Sequence, residues 1–113
     1  MSINKYFDWI RSQPCFFQDR PVLSFLSDTT VCKNYPRTCR QEWDMDKGLY
    51  RSEVSHILRR RSVRLKEGEN HYGNVFPNCS THHIWFEGLP PEVREEFKEF
   101  GANYYDQYKA QRF

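Results

Sequence analysis

Four cysteines and four histidines are the side chains of this 113-residue sequence best suited to hold a metal ion or move a proton. Cys79-x2-His82 has the short spacing at which two soft ligands reach one ion. Cys32-x6-Cys39 supplies a second, wider pair, so Cys32, Cys39, Cys79 and His82 make a set for a tetrahedral zinc ion. The competing reading treats each cysteine as a small buried apolar residue, which is how an unoxidised cysteine commonly behaves. On that reading the chain carries no metal and no cofactor. This is the expectation, with zinc on those four residues as the alternative.

The histidines raise a second chemistry. His71, His82 and His83 lie near Asn70, Asn74, Asn78 and Glu87, the residue types of a histidine-centred nuclease. Such a site needs a general base, a metal ligand and a phosphate-positioning group at one point. The spacing matches no His-Glu-x-x-His pair, Gly-x-Ser-x-Gly elbow or phosphate-cradling Gly-x-x-x-x-Gly-Lys loop, and there is no Cys-x-x-Cys redox pair. No catalytic group assembles from spacing alone, and the expectation is a protein that is not an enzyme.

The third constellation is charge. Six of the seventeen Lys and Arg residues fall between Arg51 and Lys66, against the single carboxylate of Glu53, in a chain whose net charge is only +2. So small an excess argues against a uniform coating of nucleic acid, which needs many neutralised phosphates, but it allows a local patch. Arg51, His56, Arg59, Arg60, Arg64 and Lys66 are the candidate partner-binding residues, with Tyr105 as an aromatic anchor, because exposed Tyr and Arg anchor interfaces. Tyr6 and Trp9 also fall off the apolar stripe of their helix.

The stretch GLYRSEVSHIL, residues 48–58, resembles the turn and second helix of the repressor-type helix-turn-helix family. The resemblance implies Gly48 in the turn, Val54 and Leu58 packed inward, and Arg51, Ser52, Ser55, His56 and Arg59 toward a DNA groove. Asp44 and Lys47 depart from the pattern of the preceding helix. A strand-turn-strand after Arg61 would supply the wing of a winged helix.

These residues need elements to position them. Ile3, Phe7 and Ile10 recur at helical spacing and predict a helix over 2–12, ended before Pro14. Tyr50, Val54, Ile57 and Leu58 share a helical face and predict a helix over 50–61. Residues 62–66 alternate with period two and predict a strand, with returning strands at 72–76 and 83–87. Val93, Phe97, Phe100, Tyr104 and Tyr108 form the longest stripe and predict a helix over 91–110, with Phe97 and Phe100 in the core.

The resulting expectation is one domain over 1–113 of α+β class, three helices packed on a small, mainly antiparallel sheet. With 38% hydrophobic and 28% charged residues, the chain is neither a membrane protein nor a disordered tail. No apolar run approaches the ~18 residues of a membrane span. The N-terminus lacks a secretory pattern, which predicts a cytoplasmic protein with reduced thiols. Aromatic residues make up 17% of the chain, enough to serve both a core and an interface. The expected function is a non-enzymatic binding protein, a regulator, inhibitor or assembly subunit, whose basic patch meets an acidic protein surface. DNA or RNA binding through the winged-helix-like element at 48–76 is the alternative.

Overall fold

The structure, a computed structural model, describes residues 3–20, 35–36, 38–39, 42–46, 48–58 and 72–111. In chain order these form helix α1 (Ile3–Ser12), strands β1 (Glu42–Asp44), β2 (Leu49–Arg51), β3 (Glu53–His56) and β4 (Val75–Asn78), then helices α2 (Ser80–Glu87), α3 (Pro91–Glu95) and α4 (Lys98–Ala110). The class is α+β. The strands form two antiparallel pairs, β1 with β2 and β3 with β4. No helix among the described residues is long and apolar enough to cross a membrane.

The helix expected over 50–61 is not formed in its described part, 50–58, and the remainder lies outside the described residues. Residues 49–51 and 53–56 are extended, so the element on which the helix-turn-helix resemblance rested is a strand. The helical stripe misleads because β3 is covered on both faces. Val54 packs with Tyr6, Ile10 and Val75 on one side. On the other, Ser55 is fully buried and its hydroxyl accepts a hydrogen bond from Asn78 Nδ2 at 2.8 Å. A satisfied inward serine removes the alternation that marks a half-buried strand. At Ser52 the ribbon is tied to the end of α1: its N–H donates to Arg11 O at 2.9 Å and its hydroxyl to Gln13 O at 2.5 Å.

The strand expected over 83–87 is part of α2. Five residues of mixed apolar character cannot separate a buried strand from a helix. As a helix the run buries His82 and Phe86, one turn apart, and leaves Ile84 76% exposed. The strand expected over 72–76 begins later: residues 72–73 turn, with Gly73 at φ +77°, and pairing runs from Val75 to Asn78. Pro77 fits there because β4 pairs only with β3 among the described strands, and its carbonyl accepts from Phe16 N–H at 2.8 Å. The strand expected over 62–66 lies outside the described residues.

The last helix is found where the stripe places it, broken at Phe97 (φ −93°, ψ 0°). Phe97 is fully buried with Phe16, Phe17, Phe76, Phe86 and Val93, and Phe100 packs half-buried against the same cluster. A second cluster joins α1, β4 and α4 through Tyr6, Ile10, Val75 and Tyr108. β4 separates the two, since alternate residues point to opposite faces: Val75 to one cluster, Phe76 to the other. Tyr6, placed off the apolar stripe by sequence, is completely buried; α1 is rotated so that Tyr6 and Ile10 lead.

Two further devices lock α3 and α4 onto the β3–β4 hairpin. A Cβ on Gly101 would sit 2.5 Å from Gly73 O and 2.6 Å from Ile57 Cδ1, so only glycine admits this approach. Arg94, 3% exposed, donates from Nε to Ile57 O at 2.9 Å, from Nη2 to His56 O at 2.6 Å and from Nη1 to Glu87 O at 3.2 Å. A buried guanidinium is tolerated because its fork meets backbone acceptors directly. Nothing in the sequence pattern distinguished it from the other arginines.

Candidate metal centre

The turn after α1, the loop at residue 39 and the junction of β4 with α2 bring Cys15, Cys39, Cys79 and His82 together. Their ligand atoms all lie within 4.8 Å of one another. Cys79 is the extended residue just before α2, and His82 lies in its first turn, so the x2 spacing puts both on one helical face. Cys15 follows Pro14, and the hydrogen bond from Phe16 N–H to Pro77 O fixes it alongside β4.

The geometry centres on His82 Nδ1, with Cys79 Sγ at 3.2 Å, Cys39 Sγ at 3.4 Å and Cys15 Sγ at 3.7 Å. A tetrahedral zinc ion with its usual Zn–S and Zn–N bonds would set each S···N edge at about 3.6 Å. The opposite nitrogen, Nε2, is 2.6 Å from Pro36 O. That contact requires the ring proton on Nε2, leaving the Nδ1 lone pair facing the three sulfurs. Backbone orientation of the non-ligating nitrogen is the usual outer support of a metal-binding histidine.

The surroundings are apolar. Phe17 stacks on the imidazole at 4.9 Å and 21°, and Tyr35 tilts against it at 5.4 Å. Burial lowers the His82 pKa, opposed by the bond to Pro36, and favours the neutral ring a metal needs. Burial pushes the Cys15 thiol up to about 11. It also raises Cys39, with the neighbouring thiols adding to the effect. Three thiolates could not coexist here without a compensating cation; a divalent ion supplies that charge. None of Cys15, Cys39 and Cys79 is in a disulfide.

Three of the four zinc residues singled out in the sequence, Cys39, Cys79 and His82, are therefore brought together. Cys32 lies outside the described residues, and the fourth member of the cluster is Cys15. Cys15 has no short-range cysteine or histidine partner, so only the packing of α1 against β4 reveals it.

A second group surrounds the next residue. His83 Nδ1 is 2.7 Å from Glu53 Oε1 on β3, and its Nε2 is 2.7 Å from Glu87 Oε1 one turn along α2. His83 and Glu87 were among the residues considered for a nuclease; Glu53, far away in sequence, was missed. Asn74, also considered, clamps the base of the hairpin: its Oδ1 accepts from Leu58 N–H at 2.9 Å and its Nδ2 donates to Leu58 O at 3.0 Å.

Of the proposed partner-binding residues, Arg51, His56 and Tyr105 are among the described residues. Arg51 is exposed on β2, and His56 is half-buried with its ring edge-on to Phe7 at 6.2 Å. Tyr105 is half-buried at 5.0 Å from Tyr72 and 5.7 Å from Tyr6, with Lys109 Nζ 4.4 Å above its ring. Arg59, Arg60, Arg64 and Lys66 lie outside the described residues, as does His71. No family model, curated protein or solved structure matches the chain.

Proposed function

We propose that this chain is a zinc-stapled nucleic-acid-binding domain, in which a Cys15–Cys39–Cys79–His82 centre fixes the β3–β4 hairpin and the hairpin carries the basic segment to its target. The observation that carries the reading is the convergence of three thiols on a histidine nitrogen whose partner nitrogen is already held by Pro36 O. Zinc here ties together α1, the loop at residue 39, the end of β4 and the start of α2, elements that a chain of this size holds with little margin. The segment from Arg59 to Lys66 follows directly from Leu58, which Asn74 clamps. Arginine dominates it, and the guanidinium fork suits phosphate oxygens better than a lysine point charge does. The mode is not a recognition helix, since residues 53–56 are a strand.

Elemental analysis of purified protein and fluorescence anisotropy with a labelled oligonucleotide test both halves. The expected results are one zinc per chain, and affinity that falls steeply with salt as counterions are released. Arg59→Glu, Arg60→Glu and Arg64→Glu combined should abolish binding while zinc content and melting temperature hold. Salt-insensitive or absent binding would contradict the nucleic-acid half.

A second reading, contact with an acidic protein through the same basic segment, is supported by the half-buried ring of Tyr105 at the edge of the Tyr6–Tyr72–Tyr108 cluster. It is a non-enzymatic interface of the aromatic-anchored kind. Such a contact would weaken with salt much less steeply than phosphate binding and would depend on Tyr105, which nucleic-acid binding through the arginines would not.

A further inference from the structure

We infer that Cys39 is a peroxide-sensitive modification site, at which oxidation closes a disulfide to a neighbouring buried cysteine and expels the zinc ion; the inference rests on the zinc reading above. The three thiols of the centre are not equivalent. Cys15 is 3% exposed and Cys79 1%, whereas Cys39 is only half-buried. The backbones of Phe17 and Cys79 hydrogen-bond the Cys15 sulfur, which draws charge from it and quiets it as a nucleophile. The thiols also differ in how their backbones are held. Cys15 is joined to the end of β4 by the bond from Phe16 N–H to Pro77 O at 2.8 Å, and the Cys79 carbonyl accepts from His83 N–H at 2.9 Å. Cys39 belongs to no helix or strand. It is the sulfur that a small oxidant can reach and that can approach a partner without unmaking an element.

Bound metal holds each sulfur as the thiolate, the form that attacks a peroxide. Coordination also gathers the second reactant. All three sulfurs lie within 4.8 Å of one another, and a disulfide needs them about 2 Å apart, so only a short gap has to close. The Cys39 sulfur attacks one peroxide oxygen, the O–O bond breaks, and hydroxide leaves with the bonding pair, giving a sulfenic acid. A second thiolate of the centre then attacks that sulfur; the S–S bond forms, the S–O bond breaks, and a second hydroxide leaves. Each sulfur gives up one electron, one peroxide becomes two hydroxides, and solvent protons convert these to water. The remaining cysteine and His82 are an incomplete set for a tetrahedral ion, which is lost. The segment that carries Cys39 also braces the imidazole. Pro36 O is 2.6 Å from His82 Nε2, and the Tyr35 ring lies 5.4 Å from the His82 ring, so a shift of Cys39 disturbs the contacts that orient the fourth ligand.

The test uses the zinc-loaded 113-residue chain. Hydrogen peroxide is titrated in, zinc release is read with a chromogenic chelator, and the oxidised protein is alkylated, digested and mapped by mass spectrometry. Loss of the ion in step with a single disulfide joining Cys39 to Cys15 or Cys79 is expected, reversed by dithiothreitol and added zinc. Cys32→Ser should lose zinc and form the same bridge. Cys39→His keeps a nitrogen ligand and removes the oxidisable sulfur, so its zinc should withstand the peroxide that strips the native chain. If that variant does not load with zinc, the disulfide map of the native chain still decides. A bridge between Cys15 and Cys79, a bridge through Cys32, release with no bridge, or equal stripping of loaded Cys39→His overturns the site. Zinc retained under peroxide overturns it too, and leaves the zinc reading standing. A purified chain that takes up no zinc removes that reading and this inference together.

Discussion

His82 lies under Phe17 and Tyr35 with three thiols around its Nδ1, whereas His83, one helical step further, faces the wet edge of the hairpin between two carboxylates. A step of about 100° around the helix axis is enough to move one imidazole from a dry site to an aqueous rim. His82 is 0% exposed and the His83 side chain 19%. The difference assigns their ligands: soft sulfur around the buried ring, hard oxygen around the accessible one. On the proposed reading the buried group would tie three chain segments and so bear on folding, whereas the rim group holds only partly exposed ion pairs.

Substitution of the pair is the sharpest way to break this contrast. His82→Ala or Cys79→Ser should abolish stoichiometric zinc and leave a chain that does not melt cooperatively. Structural zinc contributes about 10–16 kcal/mol in small domains, comparable with or larger than their whole stability. Chelation should do the same to the native sequence, read by circular dichroism. Next in size is the core that walls the buried side. Phe97→Ala should cost about 3–5 kcal/mol by denaturant unfolding, and Phe100→Ala, at a half-buried position, distinctly less. Equal losses would show that the break at Phe97 does not divide core from rim. Gly101→Ala should cost about 1–3 kcal/mol, because its new methyl meets the Gly73 carbonyl and the Ile57 side chain. An unchanged melting temperature there would show that α4 is not pressed against the turn. The smallest effect belongs to the rim: His83→Ala should shift stability by about 1 kcal/mol or less and leave zinc bound, since partly exposed ion pairs contribute little. A collapse equal to that of His82→Ala would erase the distinction.

What the sequence revealed follows the range of the interactions involved. Cys79-x2-His82 is legible because three residues separate neighbours on a helix face, so local spacing implies local proximity. The stripe Val93, Phe97, Phe100, Tyr104 and Tyr108 is legible for the same reason, and every member packs against a core cluster. Cys15 and Glu53 were not legible, because each meets its partners across the fold through the packing of α1 and β3 against β4 and α2. The helix expected over 50–61 failed where an inward serine, satisfied by Asn78, imitated a polar face. Arg94 was hidden differently: a buried arginine is written like any exposed one, and only its carbonyl acceptors identify it.

Native mass spectrometry of the 113-residue chain, purified without added metal or chelator, tests the buried centre most directly. One zinc per folded chain is expected, lost in Cys15→Ser as completely as in Cys79→Ser and retained in Cys32→Ser. A folded, cooperatively melting protein free of zinc would contradict the account, as would zinc that depends on Cys32 and not on Cys15.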